Sequence, residues 1–219
     1  MKFTVHDVEH RSDDWFKLRL GRLTSSRAAD AFRYRRDGKE AASRENLRVK
    51  LAVERITGEW SSEGEWSSAP MQRGLDMEAD ALAAYEAETG NLTTPAGLVV
   101  AEDVMAAASP DSMVNDFEGI VEAKAPLQKT HYNYLKSGKI PGDYLAQVRH
   151  LLWVTGAEWC DWFSWCPSFP EPIRLQLIRV TRDEADIDGY EEKVLEFLGE
   201  LDVEEKLVRE MAYGAAHAA

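Results

Sequence analysis

The sequence predicts a mixed α/β fold, an α+β arrangement with a mixed sheet flanked by helices. Three observations predict it. Apolar residues recur at helical spacing in several separated segments, and short runs rich in Val, Ile and aromatic residues fall between them. These segments follow the order helices, strands, helix, strands, helix, which suits a sheet covered by helices. At 219 residues and 44% apolar content the chain fits one well-buried domain, 1–219, ending in an acidic helix.

Each element has a local reason. Ser25 or Ser26 offers an N-cap for a helix running through RAADAFRYR, and RRDGKE then reads as a turn. Residues 44–57 carry a stripe of Leu47, Leu51 and Val53 or Glu54, and Gly58 ends it. The Ser/Gly-rich stretch 58–68 reads as a loop. Pro70 suits the first turn of the next helix and Gly90 its stop, with Met71, Leu75, Leu82 and Tyr85 along one face. Glu78 lies on that same face, and an acid inside an apolar stripe is costly unless paired or coordinated. GLVVAED, AAASPDS and GIVEAKAP read as strands, with MVND joining the last two. GDYLAQVRHLLWVTG reads as a helix, 158–166 and 173–180 as strands, and the segment from about Arg182 as an amphipathic helix burying Val194, Phe197, Leu198 and Leu201.

Net charge is −13, yet the charge is unevenly spread. Residues 1–60 hold 14 Lys/Arg against 10 Asp/Glu, 61–123 hold 1 against 13, and 124–149 hold 5 against 1. Residues 181–219 form an acidic tail, 4 against 12. The basic segments suit a polyanion, and bound cations suit the acidic block. No apolar run approaches the ~20 residues that span a bilayer. The N-terminal decapeptide is too polar for a signal peptide, so a cytoplasmic protein without membrane partners is expected. Cys160 and Cys166 read as buried, reduced thiols, and the five histidines form no set.

The chemistry concentrates at SPDSMVNDFEGIVEAKAP. Alternation along GIVEAKAP puts Glu122 and Lys124 on one face, and pairing with AAASPDS brings Asp111 beside them. Clustered carboxylates repel unless a cation lies between them. Asp111, Glu122 and the Ala123 carbonyl offer hard oxygen ligands for Mg²⁺, with Mn²⁺ a substitute. Lys124 then either orients or deprotonates the attacking water, or holds charge on a phosphate. Glu78 is the candidate for positioning a water or a second ion.

At these residues the chain resembles the PD-(D/E)xK nuclease superfamily and, more narrowly, the phage lambda exonuclease family of viral recombination nucleases. The resemblance rests on five ordered blocks: DDWFKLRLGRLTSS, RGLDMEADALAAYEAETG, SPD, GIVEAKAP and YLAQVRHLLWVTG. Two departures stand out. Ser112 replaces the glycine common after Pro-Asp, and Ala123 replaces the usual Leu or Ile. The resemblance implies a PD-(D/E)xK restriction-endonuclease-like core. It implies a Mg²⁺-dependent 5′-to-3′ exonuclease on double-stranded DNA ends that leaves 3′ overhangs, works as a ring-shaped homotrimer and hands its product to a single-strand annealing protein. By the same matching, Arg19, Ser26, Ser109 and Gln147 grip the terminal 5′ phosphate. Arg19 has the donor fork for that task, and Ser26 falls at an expected helix start where free N–H groups favour an anion.

Tyr144 shares a helix face with Gln147 and is a further candidate DNA contact. Arg33 and Arg35, with Arg36, Lys39 and Arg44, are candidates for duplex phosphates. Met71 is a candidate wedge at the DNA end. Two other readings are a PD-(D/E)xK nuclease with an endonuclease or single-strand substrate, and a non-enzymatic acidic interaction module.

Overall fold

A computed structural model describes residues 2–61 and 69–214, the side chains of residues 69–71 and 75 excepted. In chain order the elements are β1 (Phe3–His6), α1 (Asp13–Arg19), β2 (Leu23–Thr24), a 3-10 turn at Ser25–Arg27, α2 (Ala28–Ala31), α3 (Ala42–Thr57) and α4 (Ala69–Thr89). The strands β3 (Leu98–Ala101), β4 (Ala106–Ala108), β5 (Ser112–Val114) and β6 (Gly119–Lys124) follow. Then come α5 (Gln128–Ser137), α6 (Gly142–Thr155), β7 (Trp159–Trp165), β8 (Leu175–Thr181) and α7 (Ile187–Tyr213).

The strands form two mixed sheets where one was expected: β1-β3-β4-β2 and β5-β6-β7-β8. The break falls at Ser109–Pro110–Asp111. Proline lacks the ladder N–H, so Ala106–Ala108 stays with β3 while Ser112–Val114 begins a new pairing with β6. AAASPDS is therefore two strand ends rather than one strand. Met113 and Val114 belong to β5, and the turn is made by Asn115, Asp116 and Phe117, all with positive φ. In the second sheet β6 is central, antiparallel to β5 and parallel to β7. Gly119 is obligatory at its start, because a Cβ there would lie 2.1 Å from the Trp159 ring.

The helix expected from Ser25 or Ser26 is a 3-10 turn followed by the four-residue α2, and Ser26 does not cap it. The chain turns back instead: Arg35 N–H donates to Lys39 O at 2.8 Å around Asp37–Gly38. Two helices, α1 and α5, were not anticipated. The helices over 44–57 and 70–89 form with Gly58 and Gly90 at positive φ, as their patterns require. The loop expected at 58–68 lies largely outside the described residues, as do the Met71 and Leu75 side chains.

The principal core joins α3, α6 and α7 to the sheets through Leu51, Leu152, Trp153, Val194, Phe197 and Leu201. Each such fully buried side chain stabilises the fold by ~1.5–3 kcal/mol. The acidic tail has a partner as well. Arg44, Arg48 and Arg55 on one face of α3 reach Glu200 at 2.6 Å, Glu204 at 3.2 Å and Asp202 at 2.8 Å on α7. Arg44 is 3% exposed and thus not placed to meet DNA. Part of the N-terminal basic charge answers the C-terminal acids instead of a polyanion. Cys160 and Cys166 are buried free thiols. No described helix is long and apolar enough to cross a membrane.

Candidate active site

One cleft of about 1110 Å³ gathers residues from α1, the Ser25–Arg27 turn, α3, α4, the 109–111 bend, β6, α5 and α6. Asp111, Glu122, Ala123 and Lys124 line it together with Glu78, Arg19, Ser26, Ser109, Tyr144 and Gln147.

The bend after Pro110 fixes Asp111. Its N–H donates to Val121 O at 3.1 Å, and its Oδ2 accepts from the Ala123 N–H at 2.7 Å. The carboxylate is thereby anchored to the strand that carries Glu122 and Lys124. The Lys124 ammonium donates to Glu122 Oε1, which also accepts from Gln147 Nε2 at 2.7 Å. Glu122 is 1% exposed, and its second oxygen, Oε2, is buried without a hydrogen-bond partner. Lys124 Nζ lies 5.0 Å from the Tyr144 ring centroid. Behind it, Tyr134, Tyr144 and Trp162 form an aromatic wall with centroids 5.5 to 6.3 Å apart.

The electrostatics follow from this crowding. Burial, and then repulsion from Asp111, push the Glu122 carboxyl up to about 8. Burial and Asp111 likewise raise Glu78 to about 7, which places Glu78 electrically next to the pair. Asp111 is raised by burial despite the opposing pull of Lys124 and the Ala123 N–H. Burial alone would lower Lys124, but Glu122 and Asp111 outweigh it and hold the lysine as a cation.

A second cluster lies in the same cleft. The Arg19 guanidinium stacks 3.8 Å over the Trp15 ring, and its Nη2 donates to Thr24 Oγ1 at 3.2 Å and Ser26 Oγ at 3.3 Å. Ser109 Oγ donates to Gly97 O at 3.4 Å. Thr24 and Trp15 hold the guanidinium plane, and sequence reasoning assigned neither a role; the LTSS run was the available signal for Thr24. His10 also lines the cleft and senses the Asp111 charge.

Not every candidate converges. Arg33 pairs with Asp143 at 2.7 Å and Arg35 with Asp37 at 3.1 Å, and neither lines the cleft. Both are exposed, and so are Arg36 and Lys39. Met71 belongs to α4, but its side chain is outside the described residues. Among the described residues no three His, Cys, Asp or Glu side chains group as a complete metal-binding set. Asp111 and Glu122 with a backbone oxygen form a partial set, of the kind that suits a cation retaining several waters.

Fold and site together define a nuclease-like α/β protein with a carboxylate pair, a lysine and an arginine–hydroxyl cluster in one cleft. Residues 14–158 match the YqaJ-like viral recombinase domain, and the chain belongs to that family. This agrees with the resemblance read from the sequence. The crystal structure of the alkaline exonuclease LHK-Exo from Laribacter hongkongensis superposes with a TM-score of 0.80 at 35% identity, covering 94% of this chain and all of that one. The same enzyme in complex with dAMP gives 0.81 at 35% identity, with the same coverage. A phage related exonuclease from Haemophilus somnus 129PT shares the fold at TM-score 0.63 and 14% identity, covering 87% of this chain and 96% of its own. A comparison with curated proteins finds no match.

Proposed function

We propose that this protein is a Mg²⁺-dependent exonuclease that enters linear double-stranded DNA at a 5′-phosphorylated end. It degrades that strand 5′ to 3′ and leaves a 3′ overhang for recombination by single-strand annealing. The observation that carries this reading is that one cleft holds both the Asp111–Glu122–Lys124 group and the Arg19–Ser26 group. The first suits phosphodiester hydrolysis and the second a terminal phosphate. The 35% identity to an alkaline exonuclease supports it.

The donor set fits a divalent cation. Glu122 Oε2 is buried with no partner, an expensive arrangement unless something positive meets it. Asp111, Glu122 and the Ala123 carbonyl would hold the ion, Mg²⁺ or Mn²⁺, and Glu78 faces the same charge. Bound there, it supplies Lewis acidity to the phosphate and acidifies water.

The chain's own residues do the rest. Arg19, with Ser26, Ser109 and Gln147 around it, binds the terminal 5′ phosphate and sets the register. Lys124 is a cation, so it orients the attacking water and balances charge on the phosphoryl oxygens rather than removing a proton. Glu78 positions that water. The water oxygen bonds to phosphorus as the P–O3′ bond breaks; the water loses a proton and O3′ gains one. The new 5′ phosphate stays on the shortened strand, ready for the Arg19 cluster. Tyr144 flanks Lys124 and contacts DNA. Action in the bacterial host cytoplasm, a homotrimeric ring and delivery of the overhang to an annealing protein complete the proposal.

The test is a linear duplex phosphorylated at one 5′ end, incubated beside a closed circle and a single strand. Strand loss from the phosphorylated end, dependent on magnesium and sparing the circle, is expected. Cutting of the circle would make the protein an endonuclease, preference for the single strand would change the substrate, and undiminished activity in chelator would end the metal reading.

A further inference from the structure

The cleft does not stop at the Arg19 cluster. It continues along α3, where Ser43, Asn46 and Lys50 line it at steps of three and four, one face of a helix. The opposite face carries Arg44, Arg48 and Arg55 and is committed to α7. The side chains on the cleft face are a hydroxyl, an amide and an ammonium, with Leu47 between them.

Ser43 Oγ is buried without a hydrogen-bond partner among the described residues. It stands in the first turn of α3, whose N-cap, Ala41, supplies no side-chain acceptor. That end of the helix therefore carries uncapped N–H groups and the positive end of the helix dipole.

This lobe is joined to the Arg19 cluster by one indole. Trp60 lies 5.8 Å from the Arg19 guanidinium, 4.3 Å from that of Arg27 and 5.8 Å from the Lys50 ammonium. The acids nearby are engaged: Glu54 pairs with Arg27 at 3.2 Å, and Asp30 pairs with Arg33 at 3.6 Å. Arg27 also lines the lobe. At about 1110 Å³ the cleft also exceeds the ~300–1,000 Å³ of pockets that enclose a whole drug-sized ligand.

We infer that Ser43, Asn46, Lys50 and Arg27 form a second phosphate subsite, one phosphoryl group further 5′ than the one held at Arg19. This rests on the proposed binding of 5′ ends. The subsite takes a phosphoryl group linked to the 5′ side of the terminal phosphate, either in a 5′-triphosphate or in an unpaired 5′ nucleotide. In the second case the strand passes Arg19 by an internal phosphodiester, and the first product is a dinucleotide.

Three duplexes test this: blunt with a 5′-monophosphate, blunt with a 5′-triphosphate, and with one unpaired 5′-phosphorylated nucleotide. The wild type is expected to process at least one extended end as readily as the blunt monophosphate. Lys50→Ala and Asn46→Ala should each lower the ratio of kcat/KM on the extended end to kcat/KM on the blunt end by about tenfold, the size of one charge-assisted contact. A fall confined to the triphosphate assigns the subsite to polyphosphates, and a fall confined to the overhang assigns it to an unpaired nucleotide. An unchanged ratio on both overturns the inference.

Asn46 is exposed, so its variant stands even if Lys50→Ala fails to fold. Fluorescence anisotropy with the same duplexes in chelator reads the Kd ratio without hydrolysis. If the wild type cleaves none of them, the exonuclease reading fails, while the Kd ratio in the variants still decides the subsite.

Discussion

Asp161 and Glu122 are buried carboxylates on neighbouring strands of one sheet, and their surroundings differ. Asp161 is paired in register with Val121 and Glu122 with Trp162, so the two acids leave the sheet on opposite faces. Arg179 donates to both oxygens of Asp161 at 2.8 Å, and Tyr85 Oη donates to Oδ2 at 2.7 Å. Every demand of that buried charge is met from within the chain. Glu122 has Lys124 and Gln147 on one oxygen and nothing on the other, and its carboxyl is pushed up to about 8. The first arrangement holds strands and α4 together. The second keeps a charge short of partners, which favours a ligand that can supply them.

The largest effect that sharpens this contrast is on hydrolysis. Glu122→Gln and Lys124→Ala should each cut the turnover of linear duplex by about 10²–10³-fold, the range seen when one electrostatic stabiliser is removed. Lys124→Ala should leave DNA-end affinity largely intact. Full turnover in either variant would return Glu122 to the same structural class as Asp161.

Next comes pH. His150 is a second fully satisfied buried group: Tyr190 Oη donates to its Nδ1 at 2.8 Å and its Nε2 donates to Ala107 O at 3.2 Å. Burial lowers it to about 4. The unfolded chain, near 6.5, then binds more protons than the folded one. The stabilisation is complete above pH 6.5 and is lost as pH falls towards 4, on the order of 3 kcal/mol. Glu122 runs the other way: its raised value favours the folded state at low pH and withdraws that contribution as pH rises towards 8. Urea unfolding of metal-free protein from pH 4 to 8 should show both slopes. His150→Gln should flatten only the acid one, and Glu122→Gln only the neutral-to-alkaline one. One slope flattened by both variants would erase the distinction.

Smaller again is Asp161→Ala. Removing one partner of a buried pair costs ~3–5 kcal/mol. The Arg179 side chain is 46% exposed and can turn to water, so about 2 kcal/mol is expected. Chemical denaturation gives the loss, and residual turnover per folded molecule should stay near that of the wild type. A catalytic defect without a stability loss would reverse the assignment.

The two carboxylates also differ in how far the sequence reveals them. Glu122 and Lys124 share a face by simple alternation, and Asp111 precedes them in a short motif, so the centre of the site is legible from local spacing. The long helices are legible for the same reason, through Leu47 and Leu51 or Val194 and Leu201. Asp161 is one acid in the aromatic run EWCDWFSWC, and its partners lie 18 and 76 residues away. Nothing local announces them. The split into two sheets is equally non-local: Ala106–Ala108 and Ser112–Val114 look continuous until Pro110 sends them to different neighbours. Ser26 looked like a helix cap because its hydroxyl suits one. That hydroxyl is engaged instead by Arg19, seven residues earlier, across a turn too short to project an apolar stripe. Arg44 looked free for DNA because its partner on α7 is 156 residues distant.

The smallest predicted effect bears most directly on the unpartnered oxygen. If Glu122 Oε2 awaits a cation, magnesium should stabilise the folded protein by RT ln(1 + [L]/Kd), about 1.4 kcal/mol at ten times Kd. Thermal unfolding in magnesium and in chelator measures it without DNA or turnover. Glu122→Gln should abolish the increment, because a neutral amide cannot replace the charged ligand. Asp161→Ala should keep it whole on a lower baseline, since Arg179 and Tyr85 meet that carboxylate on the other face of the sheet. An increment that survives in Glu122→Gln would place the ion elsewhere and leave the raised Glu122 carboxyl a consequence of burial alone.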